Sequence, residues 1–144
     1  MPLQQFGLRQ SPVFVCEVAR YQEVVHYVAP PVEDLAEMLD GLRVFLERTA
    51  GQSPVMRCAV AAFGYVYMYP LADGNGRVHR FLINDVLRRD GVVAAPMVLP
   101  VSSLISNHAT DRLAYDDILD TVSAPLMQAL AGQYTFDQEQ TVYA

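Results

Sequence analysis

The chain has 144 residues, a mass of 16.0 kDa and a formal charge of -6, with 52% apolar and 18% charged residues. That length suits one domain, and that balance supports a packed core, which excludes a disordered chain. An acidic chain with a pI near 4.8 is not the profile of a nucleic-acid binder, and it disfavours anionic membrane surfaces.

The opening residues, MPLQQFGLRQ, lack a basic stretch followed by an apolar run, so no signal peptide is expected. Residues 12–28 are rich in β-branched and aromatic types. They predict two short extended segments turning around Ala19 to Gln22, a small hairpin. Pro30 and Pro31 then break the chain. From Val32 the apolar residues Leu35, Met38, Leu39, Leu42, Phe45 and Leu46 recur at the helical period. Glu33, Asp34 and Glu37 in the first turns and Arg48 near the end suit the helix dipole, and Gly51 ends the segment. Ser53 and Pro54 read as an N-cap followed by proline at the first helical position. The helix they open, about 54–68, is apolar on nearly every side and carries Arg57 as its one charge. Such a helix is expected at the buried centre of a bundle. It stops at Tyr69-Pro70. A loop, LADGNG, leads into a helix from Arg77 to about Asp90, ended by Gly91.

Beyond it the sequence predicts helices at roughly 101–109, 111–122 and 123–131, with Pro125 in the first turn of the last. The uncharged run from Gly91 to Thr110 contains Pro96, Pro100 and several polar residues, which argues against a membrane span. Cys16 and Cys58 are isolated and outside any metal-ligand spacing. They read as reduced core residues, which fits a cytoplasmic setting. The expected architecture is one all-α domain over 1–144. It has a β-hairpin at about 12–28, a helical core at about 32–131 and a polar tail at 132–144.

Residues 69–80, YPLADGNGRVHR, carry the chemistry. Asp73-Gly74 and Asn75-Gly76 are turn dipeptides, so a plain helix–loop–helix connection is one reading. The other is an anion site. The glycines let several backbone N–H groups point at one anion, and the following helix adds its positive end. Arg77 lies on the first turn, Arg80 three residues on shares its face, and Asp73 at the entrance could hold Mg²⁺ beside a bound polyphosphate. All ten basic residues of the chain are Arg, so a Walker-type loop, a Schiff base and a lysine nucleophile are excluded, and phosphate recognition falls to Arg forks, amides or metal. An EF-hand beginning at Asp73 fails at Arg77, Val78 and the closing acid. A dinucleotide fingerprint lacks its third glycine and its strand.

The segment resembles the signature of the Fic (Fido) family, His-Pro-Phe-x-(Asp/Glu)-Gly-Asn-Gly-Arg-x-x-Arg. The match covers Pro70, Asp73, Gly74, Asn75, Gly76, Arg77 and Arg80, and the resemblance extends over roughly residues 8–131. It implies a Fic-type helical bundle with a hairpin flap, here around Glu23 to Tyr27. It also implies transfer of AMP from ATP to a protein hydroxyl. By the resemblance Asp73 would bind Mg²⁺, the backbone of Gly74, Asn75 and Gly76 would form the anion hole, Arg77 would grip the phosphates and Arg80 would support the site. A target protein would dock on the flap by strand addition. Some relatives move phosphoryl or phosphocholine groups instead.

Two positions depart from the signature. Leu71 replaces Phe, an apolar exchange at a packing position. Tyr69 replaces His, the family's general base. A free imidazole titrates near about 6.5 and a free phenol near about 10, so a phenol is a poor proton acceptor at neutral pH. Losing a positioned base costs about 10²- to 10⁴-fold in rate. His79 is turned by helical geometry away from Arg77 and reads as a packing or surface residue. His26 reads as a strand-face residue, His108 has no acidic partner in view, and Asn84 reads as core packing. Thr135 to Gln140 is a poor match to the family's inhibitory helix and reads as solvated tail, so an inhibitor would be a separate chain. The sequence supports an impaired adenylyltransferase or, alternatively, a nucleotide-binding pseudoenzyme acting as a regulatory or interaction module. It leaves a homo-oligomer open and gives no sign of nucleic-acid or membrane partners.

Overall fold

The structure is a computed structural model and describes residues 7–136 and 142–143. It is helical with a small hairpin before the helices. Strands β1 (Phe14–Ala19) and β2 (Gln22–Val28) pair antiparallel. The two-residue turn between them, Arg20 (φ 48°) and Tyr21 (φ 69°), lies in the left-handed region, the twist that tight hairpins favour. A short 3-10 turn (Val32–Asp34) leads into α1 (Leu35–Arg48), followed by α2 (Pro54–Met68), α3 (Asn75–Arg89), α4 (Val101–Asn107) and α5 (Ala109–Ala129). A second strand pair, β3 (Thr135–Phe136) and β4 (Val142–Tyr143), lies at the C-terminal end.

The core sits between α2 and α3. Cys58, Ala61, Val86 and Leu87 are buried against each other, flanked by Leu42, Leu46, Ile83, Val93 and Leu99. Ala61 and Ala62 are fully buried, and their small side chains let α3 approach α2 closely. Arg57 is buried as well. Its Nε lies 2.7 Å from Asp90 Oδ2, and its Nη1 donates to the Leu46 carbonyl and to Thr49 Oγ1. The one charge of α2 thus ties together the ends of α1, α2 and α3. Pro54 opens α2 at its first position as the sequence predicts, but the Ser53 side chain makes no cap bond.

Four expectations need correction. Helix α2 is not enclosed: Val55, Met56 and Val60 are exposed, because the described elements pack on one side of it. Helix α3 begins at Asn75 rather than Arg77, because the Asn75 side chain closes the preceding loop. The two segments predicted at 111–122 and 123–131 form one helix, α5, with Pro125 inside it and exposed to solvent. Cys16 is exposed rather than buried, since β1 turns nearly all its side chains outward, while Cys58 is in the core.

Candidate functional site

The loop between α2 and α3 is held on one side and open on the other. Its first half is fixed by the N-terminal segment. Leu8 bridges to Leu71, the Arg9 amide donates to the Pro70 carbonyl (3.0 Å) and the Ala72 amide to the Gly7 carbonyl (3.2 Å). Asn75 fixes it from within: its Oδ1 accepts from the Leu71 amide and its Nδ2 donates to the Leu71 carbonyl, each at 2.8 Å. The Asn75 side chain is therefore buried and turned inward, and only its backbone is left for a ligand.

The second half faces solvent. Gly74 is the N-cap of α3 at φ 90°, a conformation that a side chain would strain. No side chain caps the helix, and its first bond runs from the Val78 amide to the Gly74 carbonyl, so the amides of Asn75, Gly76 and Arg77 have no partner within the helix. Both guanidinium groups lie over the glycines. A Cβ on Gly74 would stand 3.2 Å from Arg77 Nη2, and one on Gly76 would stand 3.4 Å from Arg80 Nη1. Asp73 is exposed, and its Oδ2 accepts from Arg77 Nη2 at 3.0 Å. The structure thus brings Asp73, Gly74, Gly76, Arg77 and Arg80 to one open helix mouth, with two fixed positive charges in a chain of net charge -6. Arg80 also borders a cleft of about 540 Å³ along α3, walled by Phe81, Asn84, Arg88, Leu99 and Pro100. That volume falls within the range of about 300–1,000 Å³ seen for ligand pockets. Asn84 braces its far wall, exchanging bonds with the Leu99 amide (2.7 Å) and carbonyl (3.2 Å).

The only carboxylate at the loop is Asp73, and no group of three metal-ligating side chains forms among the described residues. That donor set does not build a protein cage. It does fit Mg²⁺, which takes one or two carboxylates, waters and substrate phosphate oxygens.

Tyr69 caps α2 in the left-handed conformation (φ 48°), and its carbonyl accepts from Arg9 Nε at 2.8 Å. Its side chain lines a cavity of about 220 Å³ beneath the hairpin, together with Val15, His26, Tyr27, Val66, Tyr67, Leu119, Asp120 and Ser123. Tyr27 donates its hydroxyl to the Tyr67 carbonyl, and burial, assisted by Tyr67, pushes its phenol up to about 12. Burial also raises Tyr67, whose hydroxyl reaches the carbonyls of Ile118 and Leu119 on α5. His79 is buried and serves packing, as its helical position implies. Its Nδ1 bonds the Ala62 carbonyl (2.7 Å) and its Nε2 the Tyr115 hydroxyl (3.1 Å), between the rings of Phe63 and Tyr115. Burial, with a smaller contribution from Arg80, holds its pKa below the ordinary imidazole value. His108 is exposed at the start of α5.

A model of the Fic/DOC family matches residues 3–87, more than half of the chain and all of the loop. The chain belongs to the Fic/DOC family. Relatives of this Fic chain include the protein adenylyltransferase fic-1 of Caenorhabditis briggsae, 37% identical over 114 residues, and its namesake in Caenorhabditis elegans, 30% identical over the same length. Each match covers 78% of this chain and 20% of the relative. The protein adenylyltransferase Fic of Drosophila ananassae is 34% identical over 76 residues, 51% of this chain and 15% of its own length. The Fic chain thus spans about a fifth of the length of the curated relatives it matches.

Sequence reasoning missed Arg9. It is buried and donates to the carbonyls of Tyr69, Ser11, Pro30 and Met68, so it joins the hairpin's exit to the start of the loop. No motif or period in the sequence marks it. The near match at Thr135 to Gln140 lies mostly outside the described residues.

Proposed function

We propose that this chain transfers AMP from ATP to a hydroxyl of a target protein, at a rate lowered by the phenol at position 69. The observation that carries the reading is the convergence of Asp73, the two glycines and both guanidinium groups at the uncapped mouth of α3. The printed names of the relatives, protein adenylyltransferases, agree with it.

In this reading the amides of Asn75, Gly76 and Arg77 bind phosphate oxygens with the positive end of the helix behind them. Arg77 exchanges its bond to Asp73 for a bidentate grip on the phosphates, and Arg80 adds a second charge from one turn on. Asp73 would hold Mg²⁺, which would supply charge neutralisation to the phosphates. Gly74 and Gly76 keep the approach clear of side chains. The hairpin receives the target chain by strand addition, consistent with a two-stranded sheet in which β1 and β2 pair with each other and each keeps an outer edge. We assign the chain to the cytoplasm. An inhibitory partner chain or a second copy would find apolar residues on α5 at Leu113 and Val122.

The test compares the chain with Tyr69→His, each incubated with Mg²⁺, ATP labelled on the α-phosphate and a cell extract as the source of protein hydroxyls. The reading expects protein-bound label to rise by about 10²- to 10⁴-fold in the His form. Tyr69 itself favours a second reading, a nucleotide-binding pseudoenzyme with a regulatory role. ATP binding without label in either form would support that second reading and rule out transfer.

A further inference from the structure

His26 stands where the strand register fails. Phe14 is opposite Val28 and Val15 is opposite Tyr27, but Cys16 is opposite Val25, so His26 is the extra residue of a β-bulge. In a regular strand neighbouring side chains point to opposite faces, and an inward Tyr27 would send His26 outward. The bulge breaks that alternation. His26 and Tyr27 both line the cavity that also receives Tyr69. Bulges recur beside active sites because they re-aim a side chain in this way. A second observation bears on the ring, which is half exposed to solvent: His26 Nε2 lies 3.2 Å from Glu17 Oε2, itself exposed, on the facing strand. A carboxylate on Nε2 favours the tautomer that carries its proton there, which leaves Nδ1 with the lone pair. An imidazole oriented by a carboxylate and opening on a small cavity is the arrangement of a general base.

The cavity is about 220 Å³, below the range of whole-ligand pockets and suited to one side chain. It lies beneath the hairpin to which the reading above assigns the target chain. Glu17 from β1 contacts the imidazole, and the titratable groups that share the cavity lining with it are Tyr27 from its own strand, Tyr67 from α2, Tyr69 just after α2 and Asp120 from α5.

We propose that His26 accepts the proton of the target hydroxyl in this chain, in place of the imidazole missing at position 69, with Glu17 as its positioning residue. This rests on the adenylyl-transfer reading. The hydroxyl proton passes to His26 Nδ1 as the oxygen bonds to the α-phosphorus. The bond from that phosphorus to the bridging oxygen breaks, and pyrophosphate leaves with the electron pair. His26 then returns the proton to solvent.

The labelling experiment tests this with three further variants. His26→Asn in the otherwise unchanged chain is expected to lower protein-bound label by about 10²-fold or more and to abolish the decline of rate toward acid pH. Glu17→Gln is expected to displace that decline along the pH axis, which a merely structural role would not do. Tyr69→His combined with His26→Asn is expected to recover the label, a rescue that a misfolded protein would not show. Unchanged label in His26→Asn overturns the assignment. So does label from Tyr69→His with none from the unchanged chain, which also rules out transfer by this chain as it stands; the adenylyl-transfer reading survives the first of these outcomes. An absence of label from every form overturns both.

Discussion

The buried imidazole of His79 shows how a single residue writes a pH dependence into the fold. It is neutral, donates from one ring nitrogen and accepts at the other, and burial holds its pKa down. The unfolded chain binds the proton near about 6.5, above the folded value. Stability is therefore complete above about 6.5 and is lost as pH falls through the folded value. Melting temperature is expected to drop between pH 7.5 and pH 5, and the slope to shrink in His79→Asn even though that variant starts from a lower stability. An identical slope in both would contradict this. The residue-scale site was legible in the sequence because its determinants are local. Glycines at fixed offsets, an acid before them and arginines after them specify a helix mouth without help from the rest of the chain. The bulge at His26 was not legible, because register is decided by both strands together and residues 12–28 carry no mark of the extra residue. The exposure of Cys16 was hidden for the same reason: nothing local says that β1 lies on the outside.

Among elements, the joint between α2 and α3 depends on one buried ion pair. Arg57 and Asp90 are nearly enclosed, and Arg57 also holds Leu46 and Thr49 at the end of α1. Removing one partner of a buried pair leaves an uncompensated charge and costs about 3–5 kcal/mol. Asp90→Ala is expected to lose about that much by urea denaturation, and Arg57→Met with Asp90→Ala to recover part of it. Loss of the exposed pair Arg43–Asp40 is expected to change stability far less by the same measurement, because solvent screens it. Equal losses at the two pairs would sink this argument. Helices α1 and α2 were legible through their period and through Ser53-Pro54. The continuity of α5 through Pro125 was not, because proline suits a first helical turn and so reads as a new start, whereas here it only removes one bond from a helix that runs on through it.

Across the whole molecule, Arg9 connects what the elements leave separate. Its guanidinium serves carbonyls at Ser11, Pro30, Met68 and Tyr69, so it ties the N-terminal segment, the hairpin's exit and the loop together. Burial lowers its pKa, and Tyr27 opposes that shift. Arg9→Ala strips these buried acceptors of their donor, at about 1–3 kcal/mol for each one left unmet. A fall in the urea midpoint together with weaker MgATP binding is expected, and a midpoint within error of the parent would contradict the role. Tyr27 makes the second tie, from β2 to the end of α2. These long-range contacts hold the hairpin to the end of α2 and the start of the loop, and no sequence window short enough to read contains both partners of either.

The claim beneath the functional reading is that the open mouth of α3 binds nucleotide phosphates, and calorimetric titration with MgATP tests it most directly. The account predicts saturable binding to the parent chain and an affinity lower by about tenfold to a hundredfold in Arg77→Ala, the loss of one charge-assisted contact. Equal affinities for the two proteins, or no binding to the parent, would contradict it.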